Sequence, residues 1–193
     1  MRFSDRFKQA AEAARTALQS PDVALLGEAS AIRGRQILAD DPRDVDVARR
    51  VRELGAPDPY SLITHDEVVA LTGIPVGGPT LTWADDDIGV RFDAEDGRGQ
   101  VWSFGVHAGH AVEPGAPFDP VSWYEWMVAL LDRATPVPGL GDAAVYQSGL
   151  LYVRGEGRAF YVLVEAPERS PSEQWAAAIA RRVLERFASG EAR

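Results

Sequence analysis

Four stretches of the chain carry residue types that could do chemistry. HAGH (107–110) sets two histidines three apart, with Glu113 three further on. A zinc-hydrolase helix needs H-E-x-x-H, with both ligands on one face and a glutamate base between them. Here a glycine separates the histidines and Pro114-Gly115 follows, so no helix presents both imidazoles together, and no metal is expected. ADDD (84–87) and DAEDGRG (93–99) gather acids, but a calcium loop alternates them and ends on a distant bidentate glutamate. Both stretches read as solvated hairpin ends. PVPGLGDAAVY (136–146) is glycine-rich, yet a phosphate loop lies between a strand and the N-terminus of a helix. These glycines lie between a helix and a strand, and Ala144 stands where G-x-G-x-x-G needs glycine. The stretch reads as the way into a sheet. No G-x-S-x-G occurs, and Ser103, Ser122 and Ser148 have no patterned histidine. No catalytic residue, cofactor or metal ligand is assigned. A carboxylate and histidine site assembled in space has no sequence signature, so a small cytoplasmic enzyme stays open as the alternative.

The aromatic residues point elsewhere. Trp123 and Trp126–Met127 are expected to face the core from the helix over 122–134, with Tyr124 and Val128 toward another side. Exposed aromatics of that kind serve partner surfaces. The groove between this helix and a sheet is therefore the first expected ligand or partner site, with Trp123 and Tyr124 as its candidates. Near the N-terminus, Phe3, Phe7 and Leu18 recur at helical spacing over residues 3–19. With Arg2 included, this arm carries a local charge of +2 on a chain of net charge −9. Docking on protein, with a homodimer the simplest case, is expected there ahead of an anionic membrane surface.

Composition removes several classes of function. Twenty basic residues against 29 acidic ones, with Lys8 the sole lysine, argue against nucleic acid as a partner. There is no cysteine, hence no disulfide framework, thiolate metal site or cysteine nucleophile. Apolar runs such as Tyr161–Val164 fall far below the ~20 residues of a membrane span. The N-terminal stretch has no apolar core for a secretory signal. A cytoplasmic protein is expected.

The elements that must position these residues follow from caps, turns and periodicity. Residues 1–57 read as a helical extension, with a second helix from Asp41-Pro42 that ends at Gly55. The stretch 22–40 stays ambiguous between helix and strand. Beyond the stiff linker APDP (56–59), Thr64 and Glu67 form a capping box on the helix His65–Leu71, and Gly73 ends it. Strands are expected over Thr80–Trp83, Ile88–Asp93, Gln100–His107, 144–147, Leu150–Arg154 and Ala159–Glu165. The turn AEDGRG joins the second to the third, and GEG the last two. A helix over Ser172–Phe187 closes the chain. The order from residue 60 is α-β-β-β-α-β-β-β-α, an α+β two-layer sandwich of about six antiparallel strands flanked by helices.

LITHDEVVALTGIPVG (62–77), the tryptophan helix, PVPGLGDAAVY, the hairpin and SEQWAAAIARRVLERF (172–187) together resemble actinobacterial proteins of the PsbP-like fold, in the LpqN-type lipoprotein branch. The resemblance covers about residues 60–187. It implies an antiparallel sheet flanked by helices, and a binding or accessory role in place of catalysis. Lipoproteins of that branch carry a lipobox cysteine, which this chain lacks. The expectation is a non-catalytic binding or adaptor protein, built from a PsbP-like domain over 58–193 and an N-terminal amphipathic helix.

Overall fold

The computed structural model describes residues 53–84 and 86–192. Phe3, Phe7, Leu18 and the expected elements over 3–52 lie outside the described residues.

Local chemistry starts each element. Asp58 accepts the Tyr60 N–H and Pro59 pre-sets the first helical φ, which gives the single turn α1, Pro59–Leu62. The expected capping box is present on α2, His65–Thr72: Thr64 accepts from the Glu67 N–H, and Glu67 accepts from the Thr64 N–H. Gly73 ends α2 in the left-handed conformation. The strands β1 Thr80–Trp83, β2 Asp87–Glu95 and β3 Val101–Gly109 form a meander. After α3, Pro120–Ala129, capped by Asp119, come β4 Thr135–Pro136, β5 Ala143–Gln147, β6 Leu150–Gly155 and β7 Arg158–Glu165. The last element is α4, Ser172–Ser189.

The seven strands make one antiparallel sheet in the order β1-β2-β3-β7-β6-β5-β4. Six of them stand where periodicity places them. The seventh, β4, is two residues of the glycine-rich lead-in, and two residues carry no readable alternation. Its proline suits an edge strand, which needs no N–H for a further neighbour.

One face of the sheet carries Val90, Phe92, Phe104, Val106, Leu151, Val153, Phe160 and Val162, all buried. Ala176, Ile179, Ala180 and Val183 of α4 pack here with Val68 of α2 and Leu62 of α1. The opposite face holds Tyr152 and Ala159, with Tyr161 packed alongside, beneath Trp123 and Tyr124 of α3. Helices therefore cover both faces, and the expected two layers gain a partial third. The cause is in the strands: LLYV (150–153) and AFYVLV (159–164) are apolar at consecutive positions, so both of their faces need cover. Among the described residues no helix is long and apolar enough to cross a membrane.

The packing reaches back beyond the linker. Leu54 and Ala56 are buried, Ala56 against Leu81 and Ile88, and Arg158 donates to the Gly55 carbonyl at 3.2 Å. A chain cut to residues 53–193 is expected to unfold in one cooperative thermal transition. One cut to begin at Pro59 should be about 2 kcal/mol less stable, mostly from the lost Leu54 burial. Equal stability of the two would show that Leu54 and Ala56 contribute nothing.

Candidate active site on the second sheet face

Strand register assembles a row that no local signal announces. Thr82 of β1 pairs with Gly89 of β2, Gly89 with His107 of β3, His107 with Tyr161 of β7, and Tyr161 with Tyr152 of β6. Paired residues share a face, so all five positions lie on the face that carries α3. Gly89 is the enabling residue. A Cβ there would meet the Val106 carbonyl, and it would lie 2.7 Å from Cγ of the His107 ring. Glycine lets the imidazole fold over β2 toward β1.

The ring is held from three sides. Its Nδ1 lies 3.0 Å from Oδ1 of Asp87, its Nε2 lies 3.2 Å from Oγ1 of Thr82, and it stacks on Tyr161 at 4.5 Å and 10°. A carboxylate can only accept, so the neutral imidazole carries its proton on Nδ1 and donates it to Asp87. Nε2 then turns its lone pair to the Thr82 hydroxyl, which donates to it. Asp87 and His107 are buried and Thr82 is half-buried. The result is a carboxylate, an imidazole in a fixed tautomer and a hydroxyl in series, the connectivity that activates a hydroxyl nucleophile.

Acids and phenols around the row are shifted by their surroundings. Burial pushes the Asp86 carboxyl up, and the Asp87 charge adds to it; the Trp123 indole N–H, donating to Oδ2 at 3.1 Å, acts against them. Burial pushes the Tyr152 phenol up to about 12, with Asp87 and Asp86 adding to the effect. The Tyr161 phenol is raised further, again by burial first and Asp87 second. His110 is 1% exposed, with Nδ1 2.8 Å from the Ala111 carbonyl.

Several sequence expectations change here. ADDD is not a solvated turn throughout, since Asp87 opens β2 buried beside His107 and Asp86 sits half-buried under α3. The two histidines of HAGH have separate surroundings: His107 faces Asp87 and Thr82, and His110 follows the end of the strand. Among the described residues no group of three or more His, Asp or Glu is arranged to hold a metal ion. The hydroxyl that meets a histidine is Thr82, not a serine. Ser122 donates to Asp119, while Ser103 lies buried on β3. A histidine with glycines at 105 and 109 on alternate strand positions was the one signal available.

Trp123 is buried as expected, but Tyr124 is buried too, its ring 5.9 Å from the Arg154 guanidinium. The exposed aromatic on α3 is Trp126, at 37%. The helix rests on β6 and β7 through residues 123, 124, 127 and 128, so Trp126 falls on its flank and Tyr124 beneath it. A cleft of about 1020 Å³ lies elsewhere, between the β5–β6 turn, the β7–α4 loop and α4, and shares no residue with the His107 row. Comparisons of the chain with family models, curated proteins and solved structures return no match.

Proposed function

We propose that this chain is a non-catalytic binding or adaptor protein that works through protein–protein contact, in line with its resemblance to the LpqN-type branch of PsbP-like proteins. The supporting observation is where the fold leaves apolar surface in water. Of the five large apolar side chains exposed among the described residues, Val112, Val121 and Trp126 fall between the end of β3 and the middle of α3. Tryptophan is enriched at the energetic centres of partner surfaces, and single exposed apolar residues elsewhere need no explanation. A second copy of the chain is the simplest occupant, joined through this surface and the Phe3, Phe7 and Leu18 stripe. The reading places the protein in the cytoplasm, since a chain without cysteine draws nothing from an oxidising compartment.

Light scattering across a concentration series tests it. The native chain should associate, and the double change Val121→Ser with Trp126→Ser should weaken that association at least about tenfold, a loss of about 1.4 kcal/mol. It should still unfold cooperatively, because neither side chain belongs to the buried core. A native chain that stays monomeric at high concentration, or a variant that associates as the native chain does, would overturn this reading.

A second reading is favoured by one observation, the Asp87–His107–Thr82 series. On that reading the protein is a small enzyme whose carboxylate and histidine site sits beside α3 on the sheet.

A further inference from the structure

We infer that Thr82 Oγ1 is a nucleophile for acyl transfer from small neutral esters, activated by His107 and Asp87; the inference rests on the second reading above. Geometry supplies the general base. The Thr82 hydroxyl donates to Nε2 of His107 over 3.2 Å, within reach of proton transfer, and Asp87 fixes the tautomer from the other nitrogen at 3.0 Å. Position supplies access. Among the described residues β1 is the terminal strand of the sheet, and Thr82 is half-buried on the face that α3 covers mainly over β6 and β7.

The strand ladder also supplies a donor for the developing oxyanion. The Ala84 N–H donates to the Asp87 carbonyl at 3.0 Å, so 84 and 87 form a hydrogen-bonded pair. Alternation makes Thr82 with Gly89 another such pair, and Trp83 with Ile88 a non-bonded one. The Trp83 N–H therefore points away from β2, on the side where no described strand pairs with β1, one residue after the nucleophile. Backbone N–H groups in that relation stabilise tetrahedral intermediates. Asp86 and Asp87 nearby select against anionic substrates.

The step balances without a further reagent. Oγ1 bonds to the ester carbonyl carbon as its proton passes to Nε2, and the imidazolium is stabilised by Asp87. Collapse breaks the carbon–oxygen bond to the alcohol, which leaves with the proton from Nε2, and the acyl group stays on Oγ1. Water then attacks the acyl carbon as it loses a proton to Nε2; the acyl carbon–Oγ1 bond breaks, Oγ1 takes that proton from Nε2, and the carboxylic acid is released.

The full chain should be incubated with p-nitrophenyl acetate and examined by intact mass and peptide mapping. One acetyl group on Thr82 is expected. Thr82→Val should lose it while still unfolding cooperatively, and Thr82→Ser should retain it. Asp87→Asn should slow p-nitrophenol release at least about tenfold. If acetylation depends on His107, by comparison with His107→Gln, but maps to another hydroxyl, the Thr82 assignment falls and the acid–base reading stands. If no acetylation depends on Thr82, Asp87 or His107, both fall and the series is a structural strut.

Discussion

Gly89→Ala is expected to destabilise the protein by about 3 kcal/mol, at the upper end of overpacking in a core. The added Cβ would meet the Val106 carbonyl of the neighbouring strand, and lie 2.7 Å from Cγ and 2.8 Å from Cα of His107. Two of these are backbone atoms, so no rotamer change relieves them. β2 and β3 would have to part in the interior of the sheet, where their register runs from Asp87 with Gly109 to Glu95 with Val101. The same displacement would carry the imidazole away from Asp87 and Thr82. Urea unfolding should report the loss, and NMR of the His107 ring should report the broken contacts. Gly78→Ala is the matched control, since nothing lies within 4 Å of a Cβ there. Equal midpoints for the two variants would mean that His107 does not lie over Gly89.

Glu67→Ala is expected to cost about 2 kcal/mol at neutral pH, below the figure for a fully buried pair because part of the network is wet. Glu67 Oε1 accepts from Arg182 Nε at 2.6 Å and from Arg186 Nη2 at 3.0 Å, so one carboxylate joins α2 to α4. Removing it also leaves Arg186, 13% exposed at its side chain, without this partner. The pH dependence has a definite sign. Burial is the largest influence on the carboxyl and acts to raise it. The Thr64 N–H, the two arginines and the Thr64 hydroxyl together outweigh burial and hold the pKa at about 2, against an ordinary 4.5. A carboxyl depressed by folding contributes its stability in full above its unfolded value, and loses it as pH falls toward the folded one. Thermal melts should therefore fall between about pH 4.5 and pH 2 in the native chain. Glu67→Gln should flatten that part of the profile and lower the plateau above it. A native profile that is flat through this window would show that the α2–α4 junction does not depend on the Glu67 charge.

The amino-acid sequence by itself determined whatever a few neighbouring residues decide. The Thr64–Glu67 box starts α2 because both partners of its reciprocal bonds lie within one helical turn. The hairpin at GEG closes because Glu156 and Gly157 both take positive φ, as a two-residue turn between right-twisted strands requires. Between such punctuation, alternation and helical period placed six strands and the helices at α2, α3 and α4. Tertiary structure alone decided the rest. Which flank of α3 meets the sheet depends on where the helix comes to lie over β6 and β7, and that buries Tyr124 and exposes Trp126. The Thr82, Asp87 and His107 series depends on two successive strand registers, and a slip of one residue in either would turn a member to the opposite face. Residues 25 apart in the chain thus meet at 3.2 Å through pairing alone. Composition and spacing carry no record of that pairing, because it is fixed by the packing of the whole apolar face against α1, α2 and α4.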